Sequence, residues 1–169
     1  MQGVFVESGN TGAICSSIGI NGATYDHFVK ARDFRNQLEQ LDPDILVVSL
    51  GTNEAFQNEE FRDTLFSTQV DQLIQMLTSL SSAPELILMT PPAVSKQTYK
   101  KGKSYFIAHP NVPVIRKIII EQAQLNHLSY FDWYESMGGE NSMKIWAQRG
   151  LTDKKQIHFS PSGYKEIGE

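Results

Sequence analysis

Short apolar runs separated by longer stretches of helical periodicity restrict this chain to one class of fold. The clearest run is ILVVSL, residues 45–50, apolar except for Ser49 and ending at Gly51-Thr52-Asn53-Glu54. A run that short, apolar at consecutive positions, reads as a strand covered on both faces. Further runs fall at residues 13–19, 86–89 and 128–131. Between them, apolar residues recur at helical spacing. Residues 25–41 carry Phe28, Val29, Phe34, Leu38 and Leu41; residues 59–80 carry Phe61, Leu65, Val70, Leu73, Ile74 and Leu77. A helix over 112–125, a short one over 143–149 and a last one from 161 complete the alternation. Strands separated by helices pair in parallel, since each crossover returns the chain to the same end of the sheet. The expected fold is α/β, a three-layer α/β/α sandwich on one parallel sheet. The 169 residues suit a single domain with its own core.

Composition removes several function classes. A net charge of −4 gives no electrostatic reason to expect nucleic acid. No apolar run approaches the roughly 18–20 residues that span a bilayer. The opening MQGVFVESGN lacks the basic start and apolar stretch of a signal peptide. Cys15 is the single cysteine, so no internal disulfide forms. There is no repeat, low-complexity tract or linker.

In open parallel sheets, ligands bind beyond the carboxyl ends of the strands. Gly22, Asn53, the loop 91–110 and the segment after Phe131 all fall at that edge. Asn53 either caps the next helix or presents its amide as a donor to a developing oxyanion. Gly22 either makes a tight turn or offers an unobstructed backbone N–H for the same purpose. His158 precedes Ser160-Pro161, a good N-cap followed by a residue suited to the first helical position. It is either packed against the C-terminal helix or a fixed general base.

The stretches GINGAT (19–24), GTNE (51–54) and HFSPSGY (158–164) resemble, in order and spacing, the second, third and fifth blocks of the SGNH, or GDSL-like, hydrolase superfamily. The similarity covers nearly the whole chain. MGGENSMKIWAQRGLTDKKQIHF (137–159) further resembles bacterial members that deacylate carbohydrates. The resemblance implies a flavodoxin-like α/β/α fold and ester hydrolysis through a serine acyl-enzyme. It assigns Gly22 and Asn53 to the oxyanion hole and His158 to the base, with a glycan ester as substrate and no metal or organic cofactor. A periplasmic or secreted location is suggested by resemblance alone.

Two departures qualify that reading. The family's acid, three residues before the histidine, is here Lys155; the nearest carboxylate is Asp153, five residues before His158. The block that carries the nucleophilic serine is also absent. Ser8, in VFVES, is separated from the run at 13–19 by four residues, too few for the dozen or so of a parallel crossover. Ser16 and Ser17 lie inside that run, short of its end. The expectation is that this chain is the C-terminal part of a longer protein whose first strand and serine lie upstream. The isolated chain would then be inactive or nearly so. The alternative is a non-catalytic carbohydrate-binding or scaffold domain that kept the fold and lost the chemistry.

Lys96, Lys100, Lys101 and Lys103, interleaved with Tyr99 and Tyr105, read on an acidic protein as a solvated loop rather than a nucleic-acid patch, with the aromatics lining a sugar-binding edge as a third option. His27, His109 and His127 have no metal-ligand spacing. Trp133 and Trp146 read as packing residues.

Overall fold

A computed structural model describes residues 12–57 and 60–169. Three parallel strands form its sheet, in the order β1 (Ile45–Ser49), β2 (Glu85–Met89) and β5 (Ser129–Phe131). Helices α4 (Asp63–Thr78) and α5 (Val112–Leu125) supply the crossovers and pack on each other. Their inward residues, Phe66, Val70, Leu73, Ile74 and Leu77 on α4 with Ile115, Ile118 and Ile119 on α5, meet Leu86 and Leu88 of β2 in the core. This is the expected α/β class with a helix-flanked parallel sheet. No helix among the described residues is long and apolar enough to cross a membrane.

The helical pattern over 25–41 resolves into α1 (Tyr25–Lys30) and α2 (Phe34–Leu41), separated at Ala31, whose backbone is extended. Phe28 and Phe34 are six residues apart, out of phase for one helical face, so the chain breaks to bury both. The two rings then meet at 4.9 Å.

Residues 13–19 do not form the expected strand. They carry no regular structure and lie exposed, sharing with β1 the lining of an apolar trough of about 620 Å³ that Phe28, Phe34, Leu38, Leu73 and Leu77 also line. A strand exists only through a hydrogen-bonded neighbour, and among the described residues β1 is bonded on its β2 side alone. Ile45 and Val47 of β1 consequently stay 59% and 55% exposed.

The loop 91–110 contains an antiparallel hairpin, β3 (Ser95–Lys100) and β4 (Lys103–Ala108), in place of irregular chain. Its turn residues Lys101 and Gly102 both have positive φ, 50° and 75°. That combination fits the two-residue turn whose twist matches a hairpin. Three shorter helices complete the fold: α3 (Thr52–Ala55), α6 (Trp133–Ser136) and α7 (Ser142–Gln148); α8 (Pro161–Gly168) ends it.

Candidate functional site

β1 ends at Gly51, with φ 111°, and the chain turns at once into α3. A Cβ at Gly51 would lie 2.9 Å from Ile115 Cγ2 and 3.3 Å from the Pro91 ring, so both conformation and space demand glycine there. This sharp exit places Asn53 at the carboxyl end of the sheet. Asn53 is not the helix cap, a place taken by Gly51. Its side-chain Nδ2 donates to the carbonyl of Ala23 at 2.7 Å. One amide hydrogen is thereby committed, and the other has no acceptor among the described residues.

The partner loop is held equally firmly. Ala23 N–H donates to Ile20 O at 3.1 Å, closing a turn through Asn21 and Gly22, whose φ is 77°. Thr24 and His27 then form a reciprocal capping box at the start of α1. Among the described residues, the Gly22 N–H has no hydrogen-bond acceptor. Gly22 and Asn53, far apart in sequence, are thus brought to one place with a donor each to spare.

Glu54 was missed at the sequence level. It is 1% exposed, its Oε1 accepts from Tyr25 N–H at 2.7 Å, and its Oε2 has no partner among the described residues. Burial raises its carboxyl above the usual range, against the opposing effect of the Tyr25, Glu54 and Gly51 N–H groups and His27. Asn53 and Glu54 together clamp the Ala23–Tyr25 backbone to α3. The only sequence signal was an acid close behind the apolar run that ends at Leu50.

A second pair forms at the end of the chain. Leu151 and Ser160, Thr152 and Phe159, and Asp153 and His158 face one another across an antiparallel bridge. The intervening turn is closed by Gln156, with φ 56°. Asp153 therefore stands opposite His158, with Oδ2 at 3.4 Å from Nδ1. Its Oδ1 accepts from the N–H groups of Ile157 at 3.0 Å and His158 at 3.3 Å. Burial opposes ionisation of Asp153, but those two N–H groups and the imidazole hold its carboxyl below the usual range. Lys155 lies exposed on the turn. The His158 side chain is 69% exposed, so its ring is not packed against the last helix.

Phe159 anchors this segment. It stacks on Trp133 at 5.4 Å and meets Trp146 and Tyr164 edge-on. Ser160 caps α8 by accepting from Gly163 N–H, as expected, and its hydroxyl donates to Gly150 O. Both tryptophans are packing residues. His109 is buried at the foot of the hairpin, against Phe56 at 4.7 Å, and burial with Lys96 nearby pushes its imidazole down to about 4.

No hydrogen bond joins the Gly22–Asn53 pair to the Asp153–His158 pair. Both border the 91–110 segment: Ser95 N–H donates to Gln156 O at 2.9 Å, and His109 touches Phe56. Ser16 and Ser17 are exposed on the rim of the trough and bond to none of these residues. Ser8 lies outside the described residues.

Residues 7–166 match the GDSL-like Lipase/Acylhydrolase family. The chain belongs to that family. Among solved structures, this acylhydrolase-family chain is similar to a peptidoglycan O-acetylesterase, at 27% identity and TM-score 0.77 over 88% of the chain and 42% of the other protein. An acetyl xylan esterase, AlAXEase, shares the fold at 15% identity and TM-score 0.65, over 89% of this chain and 75% of its own. A lipase/acylhydrolase from Enterococcus faecalis does so at 20% identity and TM-score 0.62, over 87% and 67%. No curated protein matches by sequence. The chain spans less than half the length of the peptidoglycan O-acetylesterase it resembles.

Proposed function

We propose that this chain supplies the oxyanion hole and the catalytic base of an esterase that removes acyl groups, acetyl foremost, from carbohydrate. The observation that carries the reading is the Asn53–Ala23 bond, which ties a carboxamide to the loop that carries the Gly22 N–H, a donor with no acceptor among the described residues. A pair of fixed donors at one point is what a developing oxyanion requires. The 27% identity to a peptidoglycan O-acetylesterase supports acylated glycan as the substrate class.

In this mechanism His158 Nε2 takes the serine proton as the serine oxygen bonds to the ester carbonyl carbon. The carbonyl π pair moves to oxygen, where Gly22 N–H and Asn53 Nδ2 hold it. Collapse breaks the bond to the sugar oxygen, which leaves with the proton from His158. Water, deprotonated by His158, then repeats the sequence on the acyl-enzyme and releases the carboxylic acid. Asp153 accepts the Nδ1 hydrogen and stabilises the imidazolium, taking the place of the acid that Lys155 cannot be. The Asp153–His158 contact favours this reading over a binding domain without chemistry.

The serine is assigned to a strand upstream of Met1 that fills the trough between residues 13–19 and β1. The isolated chain is then inactive or nearly so, and its open β1 edge invites association. In the complete protein, His158→Ala should lower kcat on an aryl acetate by about 10²-fold or more, and a fluorophosphonate should label one serine outside this chain. Wild-type turnover by His158→Ala, or labelling of Ser8, would sink the proposal.

A further inference from the structure

The segment between Glu85 and Glu121 holds six cations and no acidic residue, in a chain of net charge −4. Four of the six, Lys96, Lys100, Lys101 and Lys103, are on the β3–β4 hairpin. The register sorts them. Lys96 pairs with Ile107, Thr98 with Tyr105, and Lys100 with Lys103, so these six residues share one face. Tyr105 and Ile107 are exposed on it, and Tyr99 is 70% exposed near the tip. No ion pair among the described residues involves Lys100, Lys101 or Lys103.

This arrangement works against the hairpin itself. Like charges directly opposite, as at Lys100 and Lys103, destabilise a strand pair. Lys101 adds a third cation in the turn, at a positive φ that glycine or asparagine would hold more easily. A two-stranded hairpin has little stability to spare. Among the described residues no carboxylate pairs with Lys100, Lys101 or Lys103, so an anion from outside would supply the counterpart.

The hairpin's foot ties that anion to the candidate site. Ser95 bonds to Gln156 through both N–H and hydroxyl, two residues from His158. His109 closes the other strand on Val94 and touches Phe56, three residues from Asn53. Six-residue strands carry the face about 20 Å from that foot. We propose that the hairpin is a substrate-binding arm for a carboxylate-bearing glycan, its lysines meeting the carboxylates and the Tyr105 ring lying on a sugar face. This rests on the esterase reading for its place in the reaction and deepens it by naming an acidic polymer. The esterase reading, whose substrate is a glycan ester, favours an acidic glycan over a polynucleotide as the occupant.

The test uses the complete protein and its Lys100→Gln/Lys101→Gln/Lys103→Gln variant, with polygalacturonate, neutral xylan and a single-stranded oligonucleotide as probes in affinity electrophoresis. Wild type should bind polygalacturonate in preference to the other two. The triple variant and, separately, about 0.5 M salt should each weaken that binding by about tenfold, exposed charge contacts being individually modest and screened. Tyr105→Ala should weaken it as well. No binding of polygalacturonate, binding unmoved by the triple change, or tighter binding of the oligonucleotide would overturn the proposal. Binding is read without turnover. An inactive wild type would remove the esterase reading and leave this test decisive.

Discussion

The Asp153 carboxylate faces the His158 imidazole at 3.4 Å although five positions separate them, because Thr152 and Phe159 bridge the two strands between. A helix or simple loop would bring together residues three or four apart; an antiparallel turn brings together whichever residues fall opposite. The pair is a consequence of that turn and of the two N–H groups that aim the carboxylate.

Asp153→Asn in the complete protein should therefore lower kcat on an aryl acetate by up to about 10⁴-fold, the loss seen when a triad acid becomes its amide. Lys155→Ala, on the exposed turn, should change it by no more than about twofold. Steady-state kinetics decide. Equal activity of Asp153→Asn and wild type would remove Asp153 from the mechanism.

Glu54 offers a pH test of how the oxyanion loop is held. Its carboxyl is raised by burial, so the folded state keeps its proton to higher pH than the unfolded chain. The associated stability is full below the ordinary carboxylate range and lost as pH rises through the raised value. Glu54→Gln keeps an oxygen for the Tyr25 N–H and removes the ionisation. The melting temperature of the variant minus that of wild type should increase from about pH 4 to about pH 8. A difference constant with pH would mean that Glu54 does not titrate as argued.

Gly163 controls the seating of α8, and through it the His158 turn. A Cβ there would lie 2.1 Å from the Leu151 carbonyl oxygen and 3.1 Å from Phe159 Cβ. Neither can move without disturbing the bridge that holds Asp153 opposite His158. Gly163→Ala should cost about 1–3 kcal/mol, or about 2–4 °C of melting temperature per kcal/mol. Gly19→Ala, with nothing within 4 Å, is the control and should be close to neutral. Equal melting temperatures for the two variants would contradict the packing argument.

Periodicity made the sheet and its main crossovers legible: residues 45–50, 86–89 and 112–125 carry their pattern within themselves, and each became the expected element. The segment 13–19 failed because an apolar run predicts burial, whereas a strand also needs a partner, and among the described residues none lies on the open side of β1. The hairpin was hidden by its lysines. Its alternation of Thr98, Lys100 and Lys103, Tyr105, Ile107 around Lys101-Gly102 is a strand signal written mostly in polar residues. At the site, Gly22, Asn53 and His158 could be named from their blocks, while Glu54 could not. Its importance lies in burial and in the Tyr25 N–H, neither of which periodicity records.

The trough beside β1 leads to the last prediction. In a parallel strand, successive N–H groups point alternately to the two neighbours. β1 bonds to β2 on one side, so alternate amides of Ile45–Ser49 face the trough, where no strand among the described residues accepts them. In the isolated chain those alternate amides should exchange with solvent at rates close to those of unfolded chain, while their β2-facing neighbours are protected. In the complete protein, if an upstream strand occupies the trough, both sets should be protected together, and exposure of Ile45 and Val47 to surface labels should fall. Hydrogen exchange resolved by residue reads both states. Full protection of every β1 amide in the isolated chain would show that the trough is already filled, and alternate protection in the complete protein would show that no strand enters it.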